Sequence, residues 1–345
     1  MADKQKHHTL ESIAKLAGVS RSTVSRVINN KGNVSEKARK KVLSVIKKEK
    51  YYPNASARSL ASRKTNNIGI IFWGHDPEFL SNPIYYEILQ GIQRESLKHD
   101  LNLVLYTTHK EEEKRQELCY KIIGQKNVDG LIVIGSLMYF DYLKLFANND
   151  LPVVIIGKRD TKNLDIPYVC TDYEDGIYKA TRHLLSLGRK EIVLLQSTVD
   201  YYFLEDKLRG YKRALEEKNI KFNSDYIIEV TSNNEDYVEK IVRNHILTIK
   251  NINAIICAND ILAQNLIKVI TSQGIAVPDN ISVIGFNDIN TARYFNPPLT
   301  TVKQNKIKLG INAVRTLLRK INGEETGNVV LDAELVVRGS TAPLK

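Results

Sequence analysis

From Asn67 onward the chain repeats one pattern, a short apolar run followed by a longer amphipathic stretch. The apolar runs fall at 68–72, 103–106, 130–134, 153–156, 192–195, 254–257 and 281–284. The stretches between them, near 84–99, 112–126, 175–187, 204–219, 235–249 and 261–273, place apolar residues at helical spacing. Runs of four or five consecutive apolar residues suit strands buried on both faces. Strands separated by helices pair in parallel, because each helix carries the chain back to its starting edge. The pattern therefore predicts an α/β core of parallel sheets with helices on both faces.

The first 65 residues have another character. They hold sixteen Lys and Arg against four acids, Asp3, Glu11, Glu36 and Glu49, which is +12 of a chain whose net charge is +11. A head this basic attached to a nearly neutral remainder marks a polyanion partner. Thr9 can cap a helix running to about Ala17, with Leu10, Ile13, Ala14 and Ala17 on one face, and Gly18 can end it. Ser20 can cap a second helix to about residue 29, whose inward residues are Val24, Val27 and Ile28. A third, from Ser35 to about Lys50, turns Ala38, Val42, Val45 and Ile46 inward and five lysines outward. Two helices joined by a short Gly-containing turn form the unit that sets its second helix in the DNA major groove. Arg21, Ser22, Thr23 and Arg26 stand at the start of that helix, where base edges are reached. Arginine pairs bidentately with guanine, and hydroxyls reach bases or phosphates. Ser20, Ser25 and Asn29 are placed to hold phosphates.

The run from Thr9 to Asn29, TLESIAKLAGVSRSTVSRVIN, followed by Val34-Ser35 and Tyr52-Pro53-Asn54, resembles the head of the lactose/galactose repressor (LacI/GalR) family. The resemblance extends along nearly the whole chain. It implies a helix-turn-helix domain at 8–52, a hinge helix and linker at 53–65, and a two-lobed core at 66–345. That core would resemble periplasmic sugar-binding proteins, with one lobe at about 66–165 plus 295–325 and the other at about 166–290 plus 326–345. The hinge segment is too short for a stable isolated helix. In the family it folds on operator DNA and drives a leucine into the minor groove; Leu60 stands at that position. Such a wedge unstacks and kinks the duplex, with Asn54, Arg58, Arg63 and Lys64 beside it for the backbone.

Parallel α/β sheets bind ligands at the carboxyl ends of their strands. The residues there are Phe79, Ser81, Asn82 and Tyr85 after the first run, Asp172 and Asp175 after Val169-Cys170, Asn259-Asp260, and Asn287-Asp288. Amide and carboxylate groups beside aromatic rings suit a polyhydroxylated ring. The family resemblance implies ligand contacts at Asn259, Asn287 and Asp172, and at Lys207, where relatives carry an arginine. Lysine lacks the planar fork of arginine. Thr231 stands where many relatives place a stacking aromatic. The segment 79–92 with the Glu-Glu-Glu run at 111–113 is most similar to maltose-operon regulators of Gram-positive bacteria, which implies an α-glucoside effector.

The reading that results is a cytoplasmic, dimeric, sugar-responsive repressor on a palindromic operator, with no cofactor and no metal. The alternatives are the same head answering to a phosphorylated metabolite or a protein co-regulator, and a transport sugar-binding protein. The polar start of the chain, without an apolar signal core, and the basic head argue against the transporter. No apolar run reaches the length of a membrane span. The sequence contains no GxGxxG after the first run, no Walker loop, GxSxG or HExxH, and its seven histidines have no ligand spacing, so an enzyme is not expected. Cys119, Cys170 and Cys257 sit in apolar surroundings and read as core residues. The tail after Thr341 is too short for a tetramerising heptad helix, which leaves a two-fold dimer.

Overall fold

The computed structural model describes residues 8–28, 32–51, 64–73, 83–108, 111–135, 138, 140–161, 164–197 and 201–344. They divide into a head that ends at Asn66 and a core that begins at Asn67, with the short segment 127–129 grouped with the head.

Among the described residues the head holds three helices: α1 (Leu10–Ala17), α2 (Arg21–Ile28) and α3 (Glu36–Lys48). Thr9 and Ser12 cap α1 reciprocally, each hydroxyl accepting the other's backbone N–H. Gly18 stops the helix in the left-handed region, at φ 61°, where a side chain would be strained. Ile13, Ala14, Ala17, Val24, Val27 and Val42 are buried together with Tyr51, which the helical periodicity does not reveal. Val19, Val45 and Ile46 pack at the edge of this cluster.

Among the described residues the core holds two six-stranded sheets. The first is built from β1 (Asn67–Phe72), β2 (Asn102–Tyr106), β3 (Gly130–Ile134), β4 (Val153–Ile156), β5 (Tyr168–Thr171) and β11 (Val329–Leu331). Its order is β11-β5-β4-β3-β1-β2, parallel throughout. The second takes β6 (Ile192–Ser197), β7 (Ile227–Val230), β8 (Ala254–Cys257), β9 (Ser282–Asn287), β10 (Thr300–Lys303) and β12 (Glu334–Val336). Its order is β12-β10-β9-β8-β6-β7, and only β12 runs antiparallel, against β10. The helices are α4 (Pro83–Leu97), α5 (Glu112–Gln125), α6 (Phe140–Ala147), α7 (Tyr173–Ser186), α8 (Tyr201–Glu216), α9 (Glu235–Asn244), α10 (Asp260–Ser272) and α11 (Lys306–Ile321).

The chain crosses between the sheets after β5, after β10 and after β11. These crossings correct the expected lobe limits. Segment 168–171 belongs to the first sheet, 300–303 to the second and 329–331 to the first, so the borders lie near 172, 304 and 332 rather than 165, 295 and 325. The reason is that each crossing strand completes its ladder before the chain changes lobe. Helix α11 then returns to the first lobe, where Leu309, Ala313, Val314 and Leu317 pack against Ile68, Ile70, Val154 and Val169. Glycines let α11 and α4 touch backbone to backbone: a Cβ on Gly310 would lie 2.2 Å from Ile88 O, and one on Gly91 2.1 Å from Ile307 O. In the second lobe, apolar side chains cover both faces of the sheet. All three cysteines are buried and free. Among the described residues, no helix is long and apolar enough to cross a membrane.

Candidate functional site

On the head, Arg21, Ser22 and Arg26 are exposed on the first two turns of α2, and Thr23 and Ser25 are half-buried on the same helix. Ser20 organises the start of this helix. Its hydroxyl accepts from Thr23 N at 3.2 Å and meets the Ser22 and Thr23 hydroxyls at 2.7 and 2.9 Å. These bonds fix the first turn and the direction of the side chains beyond it. Arg21 pairs with Glu11 at 3.0 Å, with both side chains more than half exposed. An exposed pair of this kind holds by about 0–1 kcal/mol, so the guanidinium can exchange Glu11 for another acceptor at little cost. Asn29 of the head, Asn54, Arg58 and Leu60 of the hinge segment, and Phe79, Ser81 and Asn82 of the core lie outside the described residues.

The core encloses a cavity of about 530 Å³ between its lobes, at the carboxyl ends of both sheets. Of the residues marked by the sequence, Tyr85, Lys207, Thr231, Asn259, Asp260 and Asn287 line it. Asp172 and Asp175 do not belong to that lining. Asp172 caps α7 by accepting from Asp175 N at 2.9 Å, and Asp175 pairs with Lys179 at 2.5 Å. A polar residue at a strand end serves a helix start as readily as a ligand, and Asp172 serves the start of α7.

Rings form part of the cavity lining. Tyr173 lies between Phe203 and Phe286, with centroids 4.0 and 5.3 Å away and planes 25° and 6° apart. The Lys207 ammonium sits 5.5 Å from the Tyr173 ring and 5.2 Å from that of Phe286, and the residue is 1 % exposed. The sequence reading missed these rings, although Phe286 lies inside the Gly285–Asp288 motif. Where Thr231 lines the cavity in place of an aromatic, this stack supplies ring surface from other elements.

Amides cluster beside the rings. Asn259 caps α10, its Oδ1 accepting from Leu262 N at 2.9 Å, while its Nδ2 donates to Asn233 Oδ1 at 3.1 Å. Asn287 ends β9 at φ 112°, and its Oδ1 accepts from Gln304 Nε2 at 2.5 Å. Gln304 Oε1 in turn accepts from the hydroxyls of Thr171 at 2.9 Å and Tyr173 at 3.3 Å. Gln304 thus joins two of the crossing segments to a cavity residue. Lys306, 2 % exposed, donates to the carbonyls of Asn287 and Asp288 at 2.7 and 3.0 Å and pairs with Glu87 of α4 at 3.1 Å. Neither Gln304 nor Lys306 could be marked from sequence, because both depend on the return of α11 to the first lobe. Beside the cavity, Lys158 of the first lobe reaches both carboxylate oxygens of Asp206 in the second at 2.7 Å. Among the described residues no group of His, Cys, Asp and Glu could hold a metal ion.

The bacterial regulatory protein pattern of the lacI family matches residues 9–54, and a periplasmic binding protein-like domain matches 181–341. The HTH-type transcriptional repressor PurR of Haemophilus influenzae (strain PittEE) is 33% identical over 340 residues, 96% of this chain and 98% of its own. PurR of Pasteurella multocida is 34% identical over 96% of this chain and 98% of its own. Among solved structures, the lac repressor dimer bound to operator and the anti-inducer ONPF is similar with a TM-score of 0.82 at 27% identity, covering 98% of this chain and 100% of that one. The transcriptional regulator CelR in its cellobiose complex gives 0.73 at 26% identity, over 96% and 99% of the two chains.

Proposed function

The chain belongs to the lacI family of bacterial regulatory proteins, and on that premise we propose that it is a dimeric repressor whose hold on a palindromic operator is set by a sugar bound between its lobes. It is a DNA-binding transcriptional repressor that answers to a small-molecule effector, and not an enzyme. Arg21, Ser22, Thr23 and Arg26 read the bases of each half-site, Ser20 and Ser25 steady the recognition helix against phosphates, and Leu60 enters the minor groove between half-sites. The dimer follows from two-fold operator symmetry, as in the solved lac repressor dimer bound to operator.

The observation that carries the sugar is the cavity lining, where stacked rings adjoin amides and an ammonium. Rings cover the apolar face of a pyranose, and amides can donate to and accept from its hydroxyls. CelR, a similar protein, is solved with cellobiose. Maltose and other α-glucosides are the first sugars to test. Effector in the cavity favours one lobe arrangement over another, and the crossing segments carry that preference to the hinge, with a coupling on the order of 1–3 kcal/mol.

Fluorescence anisotropy of a labelled palindromic operator at fixed salt, titrated with protein in the presence and absence of a sugar panel, tests this. Tight sequence-selective binding that one sugar changes by about tenfold or more is expected. Selective binding untouched by every sugar would move the effector to phosphorylated metabolites or a protein partner. Binding without sequence preference would remove the repressor reading altogether.

A further inference from the structure

Asn233 lies on the loop between β7 and α9 and lines the cavity, yet nothing in its sequence context marks it. Its polarity is fixed by a relay that begins at a backbone amide. Leu262 N–H can only donate, and it donates to Asn259 Oδ1. The Asn259 amide is therefore turned with Nδ2 away from the helix, where it donates to Asn233 Oδ1. The main-chain carbonyl of Asn233 accepts from Asn265 Nδ2 at 2.6 Å, so backbone and side chain are both held. Reversing the relay would set the Asn259 NH2 against the Leu262 N–H, two donors facing each other. With one Oδ1 lone pair taken by Asn259, the two Nδ2 protons are most of what the Asn233 side chain has left to offer a ligand. The nearby Thr231 brings no ring to this edge, so the edge reads its ligand by hydrogen bonding instead of stacking.

We propose that Asn233 is a specificity-determining effector contact that reads the effector through a donated N–H, and that the effector presents an oxygen acceptor there and not a cationic nitrogen. This rests on the effector-cavity reading above. The relay favours a neutral sugar, or one with a carboxylate or phosphate oxygen at that edge, over an amino sugar. A donor left facing another donor at this half-buried edge excludes the mismatched ligand more strongly than a lost apolar contact does.

Asn233→Asp tests it. A carboxylate oxygen still accepts from Asn259 Nδ2, so the cap and loop are preserved, but the other polar atom of the side chain changes from donor to acceptor. Operator release is followed by anisotropy for wild type and variant with maltose, cellobiose, ribose, glucose 6-phosphate, glucosamine and a deproteinised cell extract. The expected result is an unchanged melting temperature and unchanged basal operator affinity. The concentration of the active oxygen-bearing probe needed for half-response should rise by at least about tenfold. Glucosamine should gain on the variant relative to wild type. If Asn233→Asp does not fold, Asn233→Ala, which deletes the donor, should raise the half-response concentration likewise. An unchanged half-response in a folded variant overturns the contact while leaving the sugar reading intact. If wild type ignores every sugar but responds to the extract, the sugar reading fails and the extract decides Asn233 by the same comparison. If wild type responds to nothing, Asn233 has no effector to read and the proposal falls.

Discussion

Asp260 is fully buried, and both of its oxygens are occupied. Oδ2 accepts from Ile289 N at 2.8 Å and Oδ1 from the Thr301 hydroxyl at 2.5 Å, so one side chain ties the start of α10 to the loop after β9 and to β10. The space for it is made by Gly285, where a Cβ would come within 2.3 Å of Oδ1. Burial pushes its pKa from the ordinary 3.8 up to about 7. The two hydrogen bonds and Lys306 oppose that shift, while Asp288 adds to it. The folded protein therefore holds this proton more tightly than the unfolded chain. The stabilisation is complete below about pH 3.8 and is lost as the pH rises through about 7. Asp260→Asn removes that titration. The melting temperature of wild type minus that of the variant should fall between about pH 4 and 7, and scanning calorimetry at several pH values checks it. A difference independent of pH would show that the carboxyl does not titrate in this window. At this scale the sequence was partly legible. The motifs around Asn259 and Asn287 led to cavity residues, whereas Asp172 and Asp175 stand outside the cavity lining, in a helix cap and an ion pair, because a cap and a contact use the same residue types at the same strand ends.

Elements were more legible than their partners. Six of the apolar runs became interior strands, because burial on both faces leaves no polar alternation to confuse, whereas 103–106 became the edge strand β2 with Leu103 and Leu105 exposed. The segments that escaped notice were short strands such as Val329–Leu331 and Glu334–Val336, whose exposure is mixed, and α11, whose place depends on a crossing that local periodicity does not encode. The contact of α11 with α4 gives a test. A methyl on Gly310 meets the Ile88 carbonyl, which is backbone and cannot rotate away. Gly310→Ala should therefore destabilise the core by about 1–3 kcal/mol. Gly124, near the end of α5, has nothing within 4 Å of a would-be Cβ. Gly124→Ala should be neutral or stabilise by up to about 1 kcal/mol. Urea unfolding of the two variants measures both. Equal losses would mean that backbone freedom, and not the close approach of two helices, explains these glycines.

The two lobes form one core, so their relation must be carried by groups that reach from one to the other. Among the described residues, three such links surround the cavity. Gln304 joins Thr171 and Tyr173 to Asn287, Lys306 joins Glu87 to the 287–288 turn, and Lys158 joins Asp206. The first two are buried and hold side chains that shape the cavity, so removing them would disturb binding and lobe geometry together. Lys158 differs in being partly exposed, at 37% of its side chain, and in standing outside the cavity lining, while its neighbour Gly157 and Asp206's neighbour Lys207 belong to it. Asp206 also holds Arg209, which pairs with Glu174 at 2.9 Å, so charge continues from the first lobe through α8 to α7. With Lys158 partly exposed and Asp206 buried, the pair contributes on the order of 1 kcal/mol, which matters little to folding. It matters to a regulator whose two lobe arrangements differ by a few kcal/mol, because that much moves an equilibrium several-fold. If this pair favours the arrangement in which it is made and effector favours another, Lys158→Ala should lower the effector concentration for half-release of operator by about two- to fivefold. Lys158→Arg, which keeps the charge, should restore most of the wild-type value. Because exposed charge is screened by salt, the gap between Lys158→Ala and wild type should narrow as salt is raised. The operator titration measures all three. A half-release point identical in wild type and Lys158→Ala would mean that the lobes are held in register from within the crossing segments alone.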